Sequence, residues 1–292
     1  MNVFILGGDA RYIEVIQLLA EHGMMVYATG YDSLPQSKPN IIASDMEKAP
    51  MEKIDAILLP VQGTEQDGKV ETMETRQVIY LTEKWLRKTP NHCVIYTGVA
   101  NEYLETLAAK TKRQLVCLFH RDDLAIYNSI PTAEATLKIA IDETDTTIHG
   151  AKVAVIGFGR VGQTVARLFS QVGANVTVAA RKSAHFARLT ELGMTPISFD
   201  ELEAFAGEMD LFINTVPALV ITENIINKMK KDAVIIDLAS KPGGTDFHIA
   251  EKLGIKAIHA LGLPGKTAPK TAGQIIGKVL LHLLREQQAE SR

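Results

Sequence analysis

Short β-branched and apolar runs recur along the chain, and stretches with apolar residues at helical spacing separate them. Runs of this kind are typical of strands that are buried in a parallel sheet. Because strands that alternate with helices form βαβ units, the pattern predicts doubly wound parallel sheets. The predicted strands cover residues 2–6, 25–28, 56–59, 94–96, 115–119, 153–156, 175–179, 211–214, 234–237 and 257–259.

A chain of 292 residues is long enough for two domains, each with its own core. We predict an N-terminal α/β domain over residues 1–130 that serves the substrate or a partner. A nucleotide-binding domain follows over residues 131–262, and residues 263–292 return to the first domain, which leaves a cleft between the two sheets. The apolar face of the last helix is either its core face or an oligomer contact. Helices are predicted at residues 75–86, 128–144 and 271–284, with Pro131 in the first turn of the second, and a turn at residues 262–265.

The sharpest motif is Gly157-Phe-Gly159-Arg-Val-Gly162, which lies between a predicted strand and a predicted helix. In a dinucleotide-binding βαβ unit, the first glycine permits a tight turn and the second lets the backbone approach a pyrophosphate. The third lets the helix pack close to the strand. The helix N-terminus then faces the phosphates. We therefore predict two Rossmann-like domains, with a cofactor site that includes the intervening residues Phe158, Arg160 and Val161.

The end of the next predicted strand indicates which dinucleotide binds. A site that prefers NAD usually has an acid about 20 residues after the glycines, where it binds the ribose hydroxyls. The chain instead has Arg181, Lys182 and Ser183 there. A guanidinium can pair with a 2′-phosphate, and the lysine and the hydroxyl add charge and a donor. These residues predict NADP, although two loop cations can also be ordinary solvated charges.

Composition excludes several other classes of protein. The chain is 46% hydrophobic and 22% charged, with a formal net charge of −3, so nothing suggests a nucleic-acid surface. No apolar stretch approaches the roughly 20 residues that span a bilayer. The start of the chain is typical of a strand and not of a signal peptide. The two cysteines form no ligand cluster, so we predict a cytoplasmic protein without a metal site.

Ligands of open parallel sheets bind at the carboxyl ends of the strands, and this rule selects the loops that carry candidate chemistry. A histidine at a strand end is more often structural than catalytic, which applies to His120 and His259. A loop lysine is as often a surface charge, and an acid such as Glu134 also suits a helix N-terminus without binding anything. The candidates are Lys241, Asn214 and Ser240 for catalysis, Thr215, Val216 and Pro217 for the nicotinamide, and Arg11, Gln62, Thr132, Glu134 and Lys266 for substrate.

Four segments together resemble a known family. Residues 7–11 (Gly-Gly-Asp-Ala-Arg), 121–134, 180–185 and 261–273 are similar to the dipicolinate synthase A subunits of spore-forming bacteria, and the resemblance extends over nearly the whole chain. It implies a mother-cell enzyme that works with the flavoprotein-like dipicolinate synthase B subunit in an oligomeric complex. The implied reaction oxidises dihydrodipicolinate, or its hydroxylated tetrahydro precursor, to pyridine-2,6-dicarboxylate. Two substrate carboxylates would need cations, which favours Arg11, Lys241 and Lys266.

Two other interpretations stay open at this point. D-2-hydroxyacid dehydrogenases share the two-domain plan, but they require an arginine after the fifth strand of the nucleotide domain and a later glutamate and histidine. The chain has Ser240 beside Lys241 at the first position, and no matching pair is evident. A non-catalytic NADP(H)-binding protein that regulates its partner also fits, because the sequence contains no obvious catalytic base.

Overall fold

The computed structural model describes residues 1–31, 34, 38–73 and 78–290. The chain divides into two compact units, the first formed by Met1–Tyr127 with Ala268–Arg292 and the second by Asn128–Thr267. The second unit lies entirely within the described residues. Among the described residues, no helix has both the length and the apolar composition that crossing a membrane requires.

The first unit contains a parallel sheet and a small hairpin. Within its described residues, the strands are β1 (Asn2–Leu6), β2 (Met25–Thr29), β3 (Ile41–Ala43), β4 (Ala56–Leu58), β5 (Lys69–Val70), β6 (Ile79–Tyr80), β7 (Val94–Thr97) and β8 (Gln114–Cys117). The sheet has the order β3-β2-β1-β4-β7-β8, and every neighbouring pair is parallel. Strands β5 and β6 form an antiparallel pair outside it.

The second unit repeats this plan. Its strands are β9 (Lys152–Ile156), β10 (Asn175–Ala179), β11 (Thr195–Ile197), β12 (Leu211–Asn214), β13 (Val234–Asp237) and β14 (Lys256–His259). They form a parallel sheet in the order β11-β10-β9-β12-β13-β14. The chain leaves β9 toward one side of the sheet and later returns to its other side with β12. This switch point is where open α/β sheets bind ligands.

Helices cover both faces of each sheet. Within the described residues they are α1 (Ala10–Glu21), α2 (Glu83–Leu86), α3 (Glu102–Thr111), α4 (Asp122–Glu143), α5 (Arg160–Gln171), α6 (Ser183–Glu191), α7 (Leu202–Phe205), α8 (Glu223–Lys228), α9 (Phe247–Leu253), α10 (Leu263–Thr267) and α11 (Pro269–Glu290). Successive residues of β9 alternate between two apolar clusters, Val153 and Val155 in one, Ala154 and Ile156 in the other. Because both faces are buried, the predicted class of two doubly wound parallel sheets is confirmed.

The last helix packs within the first unit. Leu280 and Leu284 of α11 are fully buried in one cluster with Val15 and Ile16 of α1. A side-chain carbon built at Gly273 would lie 2.1 Å from the carbonyl oxygen of Arg11, so only glycine permits this close crossing. The apolar positions of α11 are therefore its core face, which is one of the two alternatives that the helical pattern leaves open.

Three predicted elements were placed wrongly. Residues 78–82 do not continue a helix from residue 75: Ile79 is buried, Tyr80 is 44% exposed and Leu81 is buried, which is the two-residue period of a strand. Residues 74–77 of that predicted helix lie outside the described part of the chain. The predicted turn at residues 262–265 is largely the short helix α10.

Helix α4 begins at Asp122, well before the predicted start near residue 128. Pro131 therefore lies inside the helix and not in its first turn. A proline there lacks the N–H that would bond to the carbonyl four residues earlier, which is why the sequence favoured a helix start. The hydroxyl of Thr132 donates to the carbonyl of Asn128, 2.8 Å away, inside the same turn.

Candidate active site

The glycine-rich loop after β9 is shaped by two contacts and one open space. Gly157 has a φ of +96° and its N–H donates to the carbonyl of Ala179 at 3.0 Å. A Cβ built at Gly157 would lie 2.6 Å from Thr215 Oγ1, and one built at Gly162 would lie 2.2 Å from the Gly157 carbonyl oxygen. A Cβ at Gly159 would meet nothing within 4 Å. The loop thus presents bare backbone to open space at Gly159, as a pyrophosphate requires.

The helix that follows presents its N-terminus at the same loop. Gly159 is the N-cap of α5, and no side chain caps this end of the helix. The first turn contains Arg160, Val161 and Gly162, which belong to the predicted cofactor site. Uncapped N–H groups together with the helix dipole favour a negatively charged ligand.

A pocket of about 300 Å³ opens beside this loop at the switch point. Thr215 donates its hydroxyl hydrogen to the carbonyl of Ile156 at 2.9 Å, which ties the loop after β12 to the end of β9. Most of the predicted cofactor residues come together here. The lining is Gly157, Phe158, Gly159, Ala180, Arg181, Lys182, His185, Phe199, Thr215, Val216 and Pro217.

Two aromatic contacts organise the end of the pocket that Arg181 occupies. The Arg181 guanidinium lies over the Phe199 ring, 5.7 Å from its centre. The rings of Phe158 and His185 meet edge to face with their centres 5.4 Å apart. Such contacts hold a cation and a flat surface in fixed positions. The described second unit places no aspartate or glutamate in this lining.

Phe199 and His185 line the pocket, although the sequence patterns do not predict them as site residues. Phe199 follows β11, a three-residue edge strand that the pattern did not predict. His185 is in the first turn of α6, whose N-terminal residue is Ser183 and whose N-terminus also has no side-chain cap. A signal for His185 was present, because it ends the segment of residues 180–185 that carried part of the family resemblance.

Asn214 is not available for catalysis, which corrects its predicted role. Its side chain is fully buried at the end of β12. The amide nitrogen donates to the Val216 carbonyl and to Asp237 Oδ1, each at 3.0 Å, and the amide oxygen accepts from the Val216 N–H at 3.0 Å. Since every hydrogen of the amide has a partner, Asn214 positions the loop that lines the pocket.

Asp237 anchors the loop that carries Lys241. Its fully buried carboxylate accepts from the N–H of Ala239 at 2.9 Å, the N–H of Gly244 at 2.8 Å and the hydroxyl of Thr245 at 2.7 Å. Both ends of the loop are therefore fixed by one side chain, while Lys241 stays exposed between them. The loop therefore places the Lys241 cation at a strand end, on a backbone that hydrogen bonds hold at both ends.

The remaining predicted residues lie outside the pocket of Gly157. Ser240 is exposed beside Lys241, and Lys266 is exposed on α10 and not in a loop. Gln62 is exposed in the segment that follows β4. His259 is structural, because its Nε2 lies 2.9 Å from the Ala239 carbonyl and its ring stacks on another aromatic side chain. The lining also omits Arg160, Val161, Gly162 and Ser183, which lie in the first turns of α5 and α6.

Arg11 pairs with the N-cap of its own helix. Its Nε donates to Asp9 Oδ1 at 2.9 Å and its Nη2 to Asp9 Oδ2 at 2.5 Å. Burial acts to raise the pKa of Asp9, but the hydrogen bond and the charge of Arg11 outweigh it and hold that pKa below its usual value. The guanidinium is mostly buried, so a substrate carboxylate would have to compete with Asp9 for it.

Thr132 and Glu134 do not lie at a helix N-terminus, contrary to prediction. The Thr132 hydroxyl is used within α4, and Glu134 is exposed in the helix interior. Glu134 lines a separate shallow depression with Leu137, Ile141 and Leu168. The described second unit therefore gives neither residue a place in the glycine-loop pocket.

The equivalent loop of the first unit is closed by its own chain. The N–H of Gly8 donates to the Glu71 carbonyl at 2.9 Å. A Cβ built at Gly8 would meet the Tyr12 ring at 2.5 Å, and one built at Gly7 would meet the Glu71 carbonyl oxygen at 2.1 Å. The position equivalent to Gly159, the N-cap of the helix that follows, is Asp9 in the first unit, and its carboxylate accepts from Arg11.

Comparisons with known proteins match the two parts of the chain to two different families. Residues 2–119 match the family described as the N-terminal domain of the dipicolinate synthase A subunit. Residues 129–244 match the NAD binding domain of D-isomer specific 2-hydroxyacid dehydrogenases. The chain is thus an NAD(P)-dependent oxidoreductase with a nicotinamide cofactor. Similarity to the hydroxyacid dehydrogenase family model is confined to residues 129–244, so it does not make the whole chain one of them.

Relatives extend over both units. The dipicolinate synthase A subunit of Bacillus subtilis (strain 168) is 49% identical over 99% of this chain and 98% of its own. The crystal structure of a B. subtilis dipicolinate synthase A chain has a TM-score of 0.95 at 49% identity and covers 99% of this chain and 97% of that one. That of the A subunit from Bacillus halodurans has a TM-score of 0.93 at 49% identity, with 97% of each chain covered. The chain therefore belongs to the family of dipicolinate synthase A subunits.

Proposed function

We propose that the chain binds NADP(H) at the glycine-loop pocket and oxidises a dihydrodipicolinate-type intermediate, or its hydroxylated tetrahydro precursor after loss of water, to pyridine-2,6-dicarboxylate. The observation that carries this proposal is the charge of the pocket. It has Arg181 and Lys182 beside two uncapped helix N-termini and no carboxylate in its described lining.

A preference for NADP follows from that charge. The 2′-phosphate carries the negative charge that distinguishes NADP from NAD, and a guanidinium binds phosphate oxygens through two parallel hydrogen bonds. Phe199 holds the Arg181 guanidinium in place, so little side-chain entropy remains to be lost on binding. Ser183 begins α6 and offers a hydroxyl at the same helix end.

The proposed reaction asks for positioning more than for acid–base chemistry. When bound, the nicotinamide accepts a hydride from the substrate ring carbon. The dihydro substrate also loses one proton to water, and the products are the aromatic dicarboxylate, NADPH and H⁺. Because the aromatic ring favours this direction, a strong catalytic base is unnecessary.

In the proposed reaction, cationic side chains of this chain bind the two carboxylates of the substrate. We assign this task to Lys241 on the anchored loop and to Lys266 on α10, both exposed. Arg11 would add a third charge by exchanging Asp9 for a substrate carboxylate. Gln62 and Ser240 are exposed in segments that follow strands and would donate neutral hydrogen bonds.

The family also supports a partner and a location. Its members are named as one of the subunits of a synthase, so we propose that this chain works with the dipicolinate synthase B subunit, in an oligomeric complex and in the mother-cell cytoplasm of a sporulating bacterium. The first unit, which the proposal leaves without a nucleotide, would serve the substrate or this partner.

An absorbance assay of nicotinamide reduction tests the reaction. The chain is supplied with a dihydrodipicolinate-generating system and with NADP⁺ or NAD⁺, in the presence or absence of the B subunit. We expect NADPH and dipicolinate in equal amounts, and a clearly lower rate with NAD⁺. Dipicolinate formed only at the uncatalysed rate, while NADP(H) still binds, would overturn the proposal in favour of a regulatory protein.

The substrate cations are tested in the same assay. Lys241→Ala and Lys266→Ala should each raise KM for the substrate by about tenfold or more, since each removes a charged hydrogen bond of roughly 1.5–3 kcal/mol. NADPH affinity should stay unchanged. Lys252→Ala, an exposed lysine on α9, is the matched control. Wild-type KM in either variant would remove that lysine from the site.

A further inference from the structure

The first unit contains a basic pocket at the amino ends of two neighbouring strands. The pocket has a volume of about 520 Å³ and is lined by Arg87, Asn91, Lys110, Thr111, Lys112 and Arg113. These residues precede β7 and β8, so the pocket lies at the opposite edge of the sheet from the carboxyl ends, where such sheets bind their ligands. Four of the lining residues are cations and none is an acid, although the whole chain has a formal net charge of −3.

Arg113 brings a buried charge to this pocket, and all of its hydrogen-bond partners are neutral. The residue is only 8% exposed. Its Nε donates to Thr89 Oγ1 at 3.1 Å, and its Nη2 donates to the Thr89 carbonyl at 2.6 Å. Its Nη1 donates to Asn91 Oδ1 at 3.2 Å and to the Thr111 carbonyl at 2.7 Å. These bonds use four of its five N–H groups and fix the guanidinium, but they leave its charge without a counter-charge. A buried charge in this state favours the binding of an anion.

Lys112 stands at the pocket on a backbone that lysine does not favour. It ends α3 in the left-handed conformation, with a φ of +56° and a ψ of +39°. Glycine is the usual residue at such a helix end, and Gly254 has this place after α9. In the described part of the chain, Lys112 is the one non-glycine residue with a positive φ. Because the backbone alone would favour glycine, the lysine indicates a role for its charge.

Helix C-termini attract cations, and this effect accounts for the two arginines but not for the two lysines. Arg87 Nη2 donates to the Lys110 carbonyl at 3.1 Å, and Arg87 also pairs with Glu83 at 2.7 Å. Together with Arg113, it satisfies carbonyls at the ends of α2 and α3. Among the described residues, the ammonium groups of Lys110 and Lys112 have no partner. Two cations at the pocket are therefore available to a ligand.

We propose that the basic pocket binds a phosphate monoester of a small organic molecule. A phosphate ester carries nearly two negative charges at pH 7 and has three acceptor oxygens, which suit cations that approach from several sides. A carboxylate has one charge and accepts in one plane, so it matches this set of donors less well. The volume of the pocket lies within the roughly 300–1,000 Å³ of pockets that hold small organic ligands, which leaves room for the rest of the ester. The proposal does not depend on the cofactor or the reaction proposed above.

Nuclear magnetic resonance titration of the isotope-labelled full chain tests the site and the ligand class. At constant ionic strength, glycerol 3-phosphate should shift the amide signals of Thr111, Lys112 and Arg113 with a Kd below about 1 mM, and glycerol should not shift them. Inorganic phosphate should bind no more tightly than the ester, and succinate at least about tenfold more weakly. Unshifted signals at about 10 mM ester, succinate bound as tightly as the ester, or inorganic phosphate bound more tightly, would overturn the proposal.

Lys112→Gly separates binding from folding, because glycine suits the left-handed backbone and removes the cation. Its Tm should be no lower than that of wild type, while its affinity for glycerol 3-phosphate should fall by about tenfold or more. Lys110→Ala should weaken binding similarly, and Lys48→Ala, at an exposed lysine of the same unit, is the control. The signal shifts should persist in Arg181→Ala, which distinguishes this pocket from the proposed cofactor site. Wild-type affinity in Lys112→Gly, or loss of these shifts in Arg181→Ala, would contradict the assigned site.

Discussion

In the loop after β9, one glycine is required by the fold and another leaves room for a ligand. Gly162 is needed by the fold, because a side chain there would overlap the Gly157 carbonyl oxygen at 2.2 Å. Gly159 is not needed in that way, because its φ of −87° is open to any residue and a Cβ would meet nothing within 4 Å. What Gly159 keeps open is space for a ligand.

This difference predicts opposite results for two small substitutions. Gly159→Ala should lower Tm by no more than about 4 °C, since alanine at an N-cap costs roughly 1 kcal/mol or less relative to glycine. Its affinity for NADPH should fall by tenfold or more. Gly162→Ala should lower Tm further, because backbone must move. Thermal unfolding and calorimetric titration of both variants check this, and a larger loss of Tm in Gly159→Ala would refute it.

At this scale the sequence predicted backbone better than side chains. The glycine spacing predicts where the loop lies. Arg181, which stands after β10 where an acid is usual, lies in the pocket lining. The aromatic support from Phe199 could not be predicted, because no local pattern reports which ring a distant strand brings beneath a guanidinium. For the same reason the catalytic role predicted for Asn214 is wrong, because its hydrogen bond to Asp237 at the neighbouring strand end exists only in three dimensions.

At the scale of elements, the loop between β13 and α9 depends on one carboxylate. Asp237 binds N–H and O–H donors from both ends of this loop. The loop carries Lys241, which we propose binds a substrate carboxylate. Fixing both ends of the loop limits the conformational freedom that Lys241 loses when substrate binds.

Asp237→Asn should loosen this loop while keeping the shape of the side chain. An amide cannot accept from all of the donors that face it, so at least one buried donor loses its partner at a cost of about 1–3 kcal/mol. We expect Tm to fall by several degrees and turnover to fall more than NADPH affinity, as measured by unfolding, kinetics and calorimetry. Asp232→Asn, an exposed neighbour in sequence, is the control. Wild-type Tm and turnover together would show that the anchor is unimportant.

Long buried strands were predictable from sequence, and short edge strands were not. β9 and β10 have continuous β-branched runs, whereas β3 and β11 are three residues long and lie at the edges of their sheets. Pro196 interrupts the pattern of β11, which an edge strand tolerates because one side of it needs no ladder. The predicted start of helix α4 is too late for a related reason. Pro131 is a strong local signal for a helix start, but tertiary packing overrides it and the helix begins at Asp122.

At the scale of the whole molecule, two units with the same strand order differ in what their glycine loops contact. The strands of the two sheets have the same spatial order. The loop after the first strand of each sheet, β1 or β9, contains glycine at positive φ. The residue at the N-cap after the loop is Asp9 in the first unit, a carboxylate that repels phosphate, and Gly159 in the second unit, where a built Cβ meets nothing within 4 Å. Two equal topologies therefore predict one nucleotide site per chain.

The measurement that tests the account most directly is calorimetric titration of the chain with NADPH and with NADH, together with Arg181→Ala. We predict one NADPH per chain, NADH bound at least about tenfold more weakly, and loss of that difference in the variant, since a charged hydrogen bond of roughly 1.5–3 kcal/mol disappears. Arg188→Ala, which removes an exposed arginine on α6, should change nothing. Two nucleotides per chain, or NADH bound as tightly as NADPH by the wild type, would contradict the account.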